Sequence, residues 1–125
     1  MPGLTLDTGA LIAVDKNHRR VVALLARALE HGYDLVVPAG VVGQAWRNGR
    51  RQARLARFLA APEVAIEVLD DHRAREAGQL CGMRGTADVI DASVVLAART
   101  RGHRIVTSDP EDIRRLDPRC QLIPV

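Results

Sequence analysis

The sequence predicts an α/β fold, a three-layer α/β/α sandwich with a central parallel sheet of four to five strands. Three observations predict it. Short β-like runs alternate with longer runs of helical periodicity along the whole chain. No hairpin signal joins one strand run to the next, so the strands must be linked by crossovers and lie parallel, covered on both faces. At 125 residues and 47% apolar content, residues 1–125 suffice for a single domain with an ordinary core.

The elements follow in order. Leu4 to Leu6 reads as a strand and Leu11 to Val14 as a short helix. Arg20 to Glu30 is a firmer helix, with Val21, Leu24, Leu25, Ala28 and Leu29 on one face and Gly32 as its stop. Leu35 to Val37 is the second strand, halted by Pro38, and helices from Ala39 to Arg47 and from Arg50 to Ala60 flank an Asn48-Gly49 turn. Val64 to Val68 is the third strand, Asp71 to Cys81 a helix, and Gly82 to Ala87 a loop. That loop lacks both GxGxxG and a GK[ST] ending, so it is not a phosphate loop. Asp88 to Arg101 is a helix, Ile105 to Thr107 a strand, Pro110 to Leu116 a helix and Leu122 to Ile123 the last strand. No internal repeat, linker or low-complexity tract interrupts the series.

Composition narrows the function classes. Of eighteen basic residues seventeen are Arg and only Lys16 is Lys, with a net charge of +3. The planar guanidinium fork suits phosphate, although genomic base composition alone produces the same bias. Tyr33, Trp46 and Phe58 are the only aromatic residues, so stacking on aromatic platforms is not expected to be how the protein holds a nucleic acid. Cys81 and Cys120 have no CxxC or His partner spacing and the N-terminus has no basic start before its apolar run. A reduced, cytoplasmic protein with two free thiols is expected, with no membrane segment. His18, His31, His72 and His103 are dispersed and read as surface residues.

In parallel α/β folds ligands sit outside the carboxyl ends of strands. Asp7 directly follows the first strand, and Asp109 follows the fourth after Ser108. Asp88 and Asp91 stand three apart near the start of one helix, on one face. If that helix starts at the same rim, four carboxylates converge there, and they would take up protons unless a cation neutralised them. Oxygen-only donors favour Mg²⁺ or Mn²⁺ over zinc, and such an ion suits phosphodiester hydrolysis. Each acid also has a local explanation. Asp109, with Pro110 behind it and Asp112 beyond, reads as a helix N-cap; Asp7 reads as a cap for a helix near Thr8; Asp88 and Asp91 suit the positive end of their helix. These readings do not exclude the shared metal. Thr8, Ser93, Thr107 and Ser108 are placed to orient metal-bound water or simply to hydrogen-bond locally, and Asp112 stands close to the same rim.

Three stretches carry a resemblance to a known family. Leu6-Asp7-Thr8-Gly9-Ala10-Leu11-Ile12-Ala13 resembles the opening motif of PIN domains, Asp91-Ala92-Ser93-Val94-Val95-Leu96-Ala97-Ala98 their third motif, and Val106-Thr107-Ser108-Asp109 their fourth. Length, order and spacing resemble the VapC toxins of bacterial toxin–antitoxin pairs. The resemblance implies a metal-dependent endoribonuclease acting on tRNA or rRNA, neutralised by a VapB-type antitoxin and working as a homodimer. It implies Asp7, Asp91 and Asp109 as catalytic and metal-binding acids, with Asp88 as a further metal acid. The family's second motif supplies a Glu where this chain has Gln44, inside Pro38-Ala39-Gly40-Val41-Val42-Gly43-Gln44-Ala45-Trp46-Arg47. An amide keeps an oxygen acceptor and loses one negative charge. Asp88 is therefore expected to supply that charge; the alternative is a PIN-like module that binds RNA or a partner without cutting.

Arg47, Arg50, Arg51, Arg54 and Arg57 recur at three- and four-residue intervals, interleaved with Leu55, Phe58 and Leu59. The stripe is either a solvated helix face or a contact for RNA or the antitoxin. Two competing α/β folds fail on specific residues. A phosphoacceptor receiver domain needs an acid near mid-chain and a late Lys, but residues 50–60 contain no acid and the only lysine is Lys16. A haloacid-type phosphohydrolase needs an Asp two residues after Asp7, where Gly9 stands.

Overall fold

Five strands form one sheet in the computed structural model, which describes residues 2–125. They are β1 (Gly3–Leu6), β2 (Asp34–Pro38), β3 (Val64–Glu67), β4 (Arg104–Thr107) and β5 (Leu122–Pro124). Their order is β3-β2-β1-β4-β5 and every neighbouring pair is parallel. Leu4 pairs with Leu35 on one side and Arg104 on the other, which makes β1 the centre and the β1–β4 junction the place where strand order reverses. A crevice is expected outside the carboxyl ends of those two strands. The parallel sheet expected from the alternation of elements is therefore present, with five strands.

Seven helices cover it: α1 (Thr8–Asp15), α2 (Arg19–Glu30), α3 (Ala39–Ala45), α4 (Ala53–Leu59), α5 (Asp71–Arg84), α6 (Val89–Arg101) and α7 (Pro110–Leu116). α1 packs against α2, α3 and α4, while α6 packs against α5 and α7 and lies on β1, β2 and β4. Being enclosed by helices on both flanks and by the sheet beneath, α6 is buried at every residue from Ala92 to Ala98. Leu6, Leu11, Leu35, Leu55, Ile105 and Ile113 are fully buried in the aliphatic core. Each contributes about 1.5–3 kcal/mol of burial free energy, so the sheet is a stiff platform for its rim.

Several boundaries differ from the sequence expectation, each for a local reason. α1 starts at Thr8, not Leu11, because Asp7 caps it. α3 stops at Ala45 and α4 begins at Ala53 because buried Gln52 closes the intervening turn: its Oε1 accepts from the N–H groups of Arg47 and Asn48, both at 2.8 Å. That turn includes a 3-10 segment, Gly49–Arg51. α5 runs through Gly82 to Arg84, and the loop shrinks to the residues after Gly85, whose φ of +69° ends the helix. Strand β3 ends at Glu67, one residue short of Val68.

His103 is a larger correction: it is buried, not on the surface, and its Nδ1 lies 3.1 Å from the Thr5 hydroxyl. Burial, then the nearby Arg101 charge, lowers its pKa. Cys81 and Cys120 are free thiols. Among the described residues no helix is long and apolar enough to cross a membrane.

Candidate active site

Two strand ends and two helix starts meet at the β1–β4 rim. Asp7, the residue after β1, is 3% exposed. Its Oδ1 accepts from the N–H of Ala10 at 3.1 Å, capping α1, and its Oδ2 accepts from the hydroxyl of Thr107, the last residue of β4. The Thr107 oxygen in turn accepts the backbone N–H of Asp109 at 2.9 Å. One buried hydroxyl thus ties the acid after β1 to the backbone of the acid after β4. Burial raises the Asp7 pKa above 3.8, the charge of Asp109 adds to the rise, and the hydrogen bonds from Thr107, Ala10 and Ser108 oppose it.

Asp109 lies at the start of α7, yet its side chain makes no capping hydrogen bond. Its carboxylate is exposed, with the Ser108 hydroxyl 3.5 Å away. The local N-cap explanation therefore holds for Asp7 and fails for Asp109.

Asp91 sits half-buried in the first turn of α6. Its pKa is pushed up to about 7, first by burial and then by the charges of Asp88, Asp7 and Asp112. Asp88 differs from expectation: it is not within the helix but caps it, its Oδ1 accepting from Ile90 and Asp91 N–H at 3.1 and 2.9 Å. One of its oxygens is thus occupied, while its charge still bears on Asp91. Asp112, on α7, shares with Asp88, Asp91, Thr86 and Arg115 a small cavity of about 160 Å³. Arg115 was not singled out from the sequence, and only its position one turn after Asp112 could have suggested it.

The acids form two groups, Asp7 with Asp109 and Asp91 with Asp88 and Asp112, and the charge of Asp7 is felt at Asp91. Among the described residues no three acidic, His or Cys side chains stand at the spacing of a closed ion cage. The chemistry of the donor set nevertheless fits a hard divalent cation. All donors are carboxylate oxygens, and burial together with neighbouring negative charge raises the pKa of Asp7 and of Asp91, a cost that a bound cation would offset.

The PIN domain family matches residues 4–117. This chain belongs to the PIN-domain family. PIN domains in general are nucleases and use divalent metal ions. No curated protein matches. Among solved structures, the VapBC2 complex of Rickettsia felis bound to a promoter DNA fragment is similar at 17% identity and a TM-score of 0.71, covering 100% of this chain and 99% of that one. FitAB bound to the IR36 DNA fragment is similar at 18% identity and a TM-score of 0.67, covering 97% and 94%. FitAcB from Neisseria gonorrhoeae is similar at 21% identity and a TM-score of 0.64, covering 96% of each chain. These likenesses show a shared fold.

In this PIN domain Gln44 lies on α3, half-buried, and its amide oxygen accepts from the hydroxyl of Thr8, next to Asp7. Gln44 and Thr8 therefore flank the acids as a neutral pair. Ser108 packs against Gly9 so closely that a Cβ there would lie 1.7 Å from the Ser108 Oγ, so only glycine lets α1 approach the β4–α7 connection. Arg47, Arg50 and Arg51, in the turn after α3, and Arg54, on α4, are exposed, and none forms an ion pair among the described residues.

Proposed function

We propose that this PIN domain is an endoribonuclease that requires Mg²⁺ or Mn²⁺ and hydrolyses phosphodiester bonds in tRNA or rRNA. The observation that supports it most is that Asp7 and Asp109, at the ends of β1 and β4, are tied together through the Thr107 hydroxyl where strand order reverses, with Asp91 feeling the charge of Asp7. In this reading Asp7, Asp91 and Asp109 hold the cation, with Asp88 contributing charge. The bound ion would supply an activated water and charge stabilisation at the phosphate. The chain's own part is positional: Thr107 fixes the Asp7 carboxylate, Thr8 fixes Gln44, and the Ser108–Gly9 contact sets the position of Asp109. Asp112 and Ser108 support the site from its edge, and Arg47, Arg50, Arg51 and Arg54 meet RNA phosphates or an antitoxin.

The solved VapBC2 structure is a complex, which supports the further proposal that this chain is the toxin of a cytoplasmic toxin–antitoxin pair, working as a homodimer with a VapB-type antitoxin as partner. The test is cleavage of labelled RNA with Mg²⁺ or Mn²⁺. Cutting that disappears with chelator and in Asp7→Asn is the expected result; absence of cutting by a preparation shown to bind the metal rejects the enzyme.

A second reading, a PIN-like RNA- or partner-binding module, is favoured by Gln44. The amide brings no charge, and its oxygen is already engaged by Thr8. Retained RNA affinity with no metal-dependent cleavage would select it.

A further inference from the structure

Three aromatic residues serve the whole chain, and the structure divides them. Tyr33 and Phe58 are partly buried and pack against the core. Trp46 is 39% exposed. It is the residue after α3, two positions beyond Gln44, which places its Cα within about 7 Å of the Gln44 Cα.

The indole is held in place from beneath. A Cβ on Gly49 would lie 2.6 Å from the Trp46 Cζ2 and 3.2 Å from its Cε2, so the ring rests on the bare backbone of the 3-10 turn. The Trp46 backbone N–H donates to the Val42 carbonyl at 2.8 Å, and the Arg47 guanidinium donates to the backbone carbonyls of Trp46 and Gly43, both at 2.9 Å. Gln52 fixes the rest of the turn through Arg47 and Asn48, as described above. An exposed aromatic ring on a pinned turn loses little freedom when a flat ligand stacks on it. Around it stand Arg47, Arg50 and Arg51, exposed and without acidic partners among the described residues.

Against the expectation drawn from the scarcity of aromatic residues, we infer that Trp46 is a stacking platform for an unpaired base of single-stranded RNA, with Arg47, Arg50 and Arg51 taking the phosphates on either side. The inference rests on the proposed RNA substrate and adds a base subsite beside the acidic rim. Stacking on aromatics accepts any base and requires it to be unpaired, so the subsite selects single-stranded segments over helices. Arginines with no acidic partner offer their charge to a polyanion, which an acidic protein surface would also satisfy; the partly exposed Trp46 adds a preference for a flat heterocycle.

Trp46 is the single tryptophan of the chain, so intrinsic fluorescence reports on this position alone. The experiment titrates the full chain, in chelator to prevent cutting, with a short single-stranded RNA, the same sequence as duplex, and inorganic polyphosphate. Binding is followed in parallel by anisotropy of labelled RNA. The expected result is strong quenching by the single strand, little by duplex or polyphosphate, and a loss of single-strand affinity of roughly five- to a hundredfold in Trp46→Ala, largely rescued in Trp46→Phe. RNA binding without quenching, or with unchanged affinity in Trp46→Ala, overturns the platform while leaving the nuclease reading intact. Equal quenching by polyphosphate also overturns it, reducing the surface to charge alone. Absence of RNA binding, with Trp46 emission shifting only on addition of a protein partner, overturns both the platform and the RNA substrate.

Discussion

Replacing Asp91 by Asn should stabilise the metal-free protein at alkaline pH, by an amount the structure sets. In the unfolded chain this carboxyl ionises near 3.8; in the folded protein burial and the charges of Asp88, Asp7 and Asp112 hold it at about 7. Between those values the native state carries the extra proton, so stability falls as pH rises from about 4 to about 7 and is level above that. A rise of about three pH units corresponds to about 4 kcal/mol. Water reaching the half-buried carboxyl reduces this, and 2–4 kcal/mol, roughly, is expected at pH 8.5. Asn keeps the shape without the charge, so the variant should gain that amount at pH 8.5 and nothing near pH 4. Urea unfolding of both proteins across that range, with chelator present, measures it. Excess Mg²⁺ should then stabilise the wild type more than the variant, because the cation favours the ionised acid. A variant no more stable than wild type at pH 8.5, with its fold intact, would refute the electrostatic account of the site.

Other perturbations probe its supports. Thr107→Val removes the hydroxyl that joins Asp7 to the Asp109 backbone; urea unfolding should show a loss of roughly 2–3 kcal/mol, and the acid limb of the activity profile should move to higher pH as the Asp7 pKa rises further. Thr107→Ser should restore both. Gly9→Ala should abolish most cleavage while circular dichroism stays native, since the added methyl meets Ser108; adding Ser108→Gly should recover part of the activity. Gln44→Glu should tighten Mn²⁺ binding about tenfold by calorimetry, and lower stability in chelator at neutral pH by adding a charge beside Asp7.

The sequence made the alternation of strands and helices legible because apolar periodicity is a local property. Asp7 and Asp109 were readable as strand-end acids for the same reason. Element ends were less readable where a distant side chain decides them. Gln52 closes the α3–α4 turn from several residues away, and nothing in the periodicity of Arg50 to Ala60 marks it. His103 reads from the sequence as a surface residue, but its partner Thr5 is 98 residues earlier in the chain.

At the rim the division is sharper. The chain by itself determined which side chains carry oxygen donors, that they follow strands or open helices, and that position 44 is an amide. Only the tertiary structure decided that Asp109 leaves its cap unused, that Asp88 spends one oxygen on capping, that Asp112 and Arg115 face Asp91, and that Trp46 rests on Gly49 with its ring exposed. The reason is physical: hydrogen bonding within a turn is encoded by neighbours, whereas burial and mutual repulsion of charges depend on which distant segments the parallel sheet brings side by side.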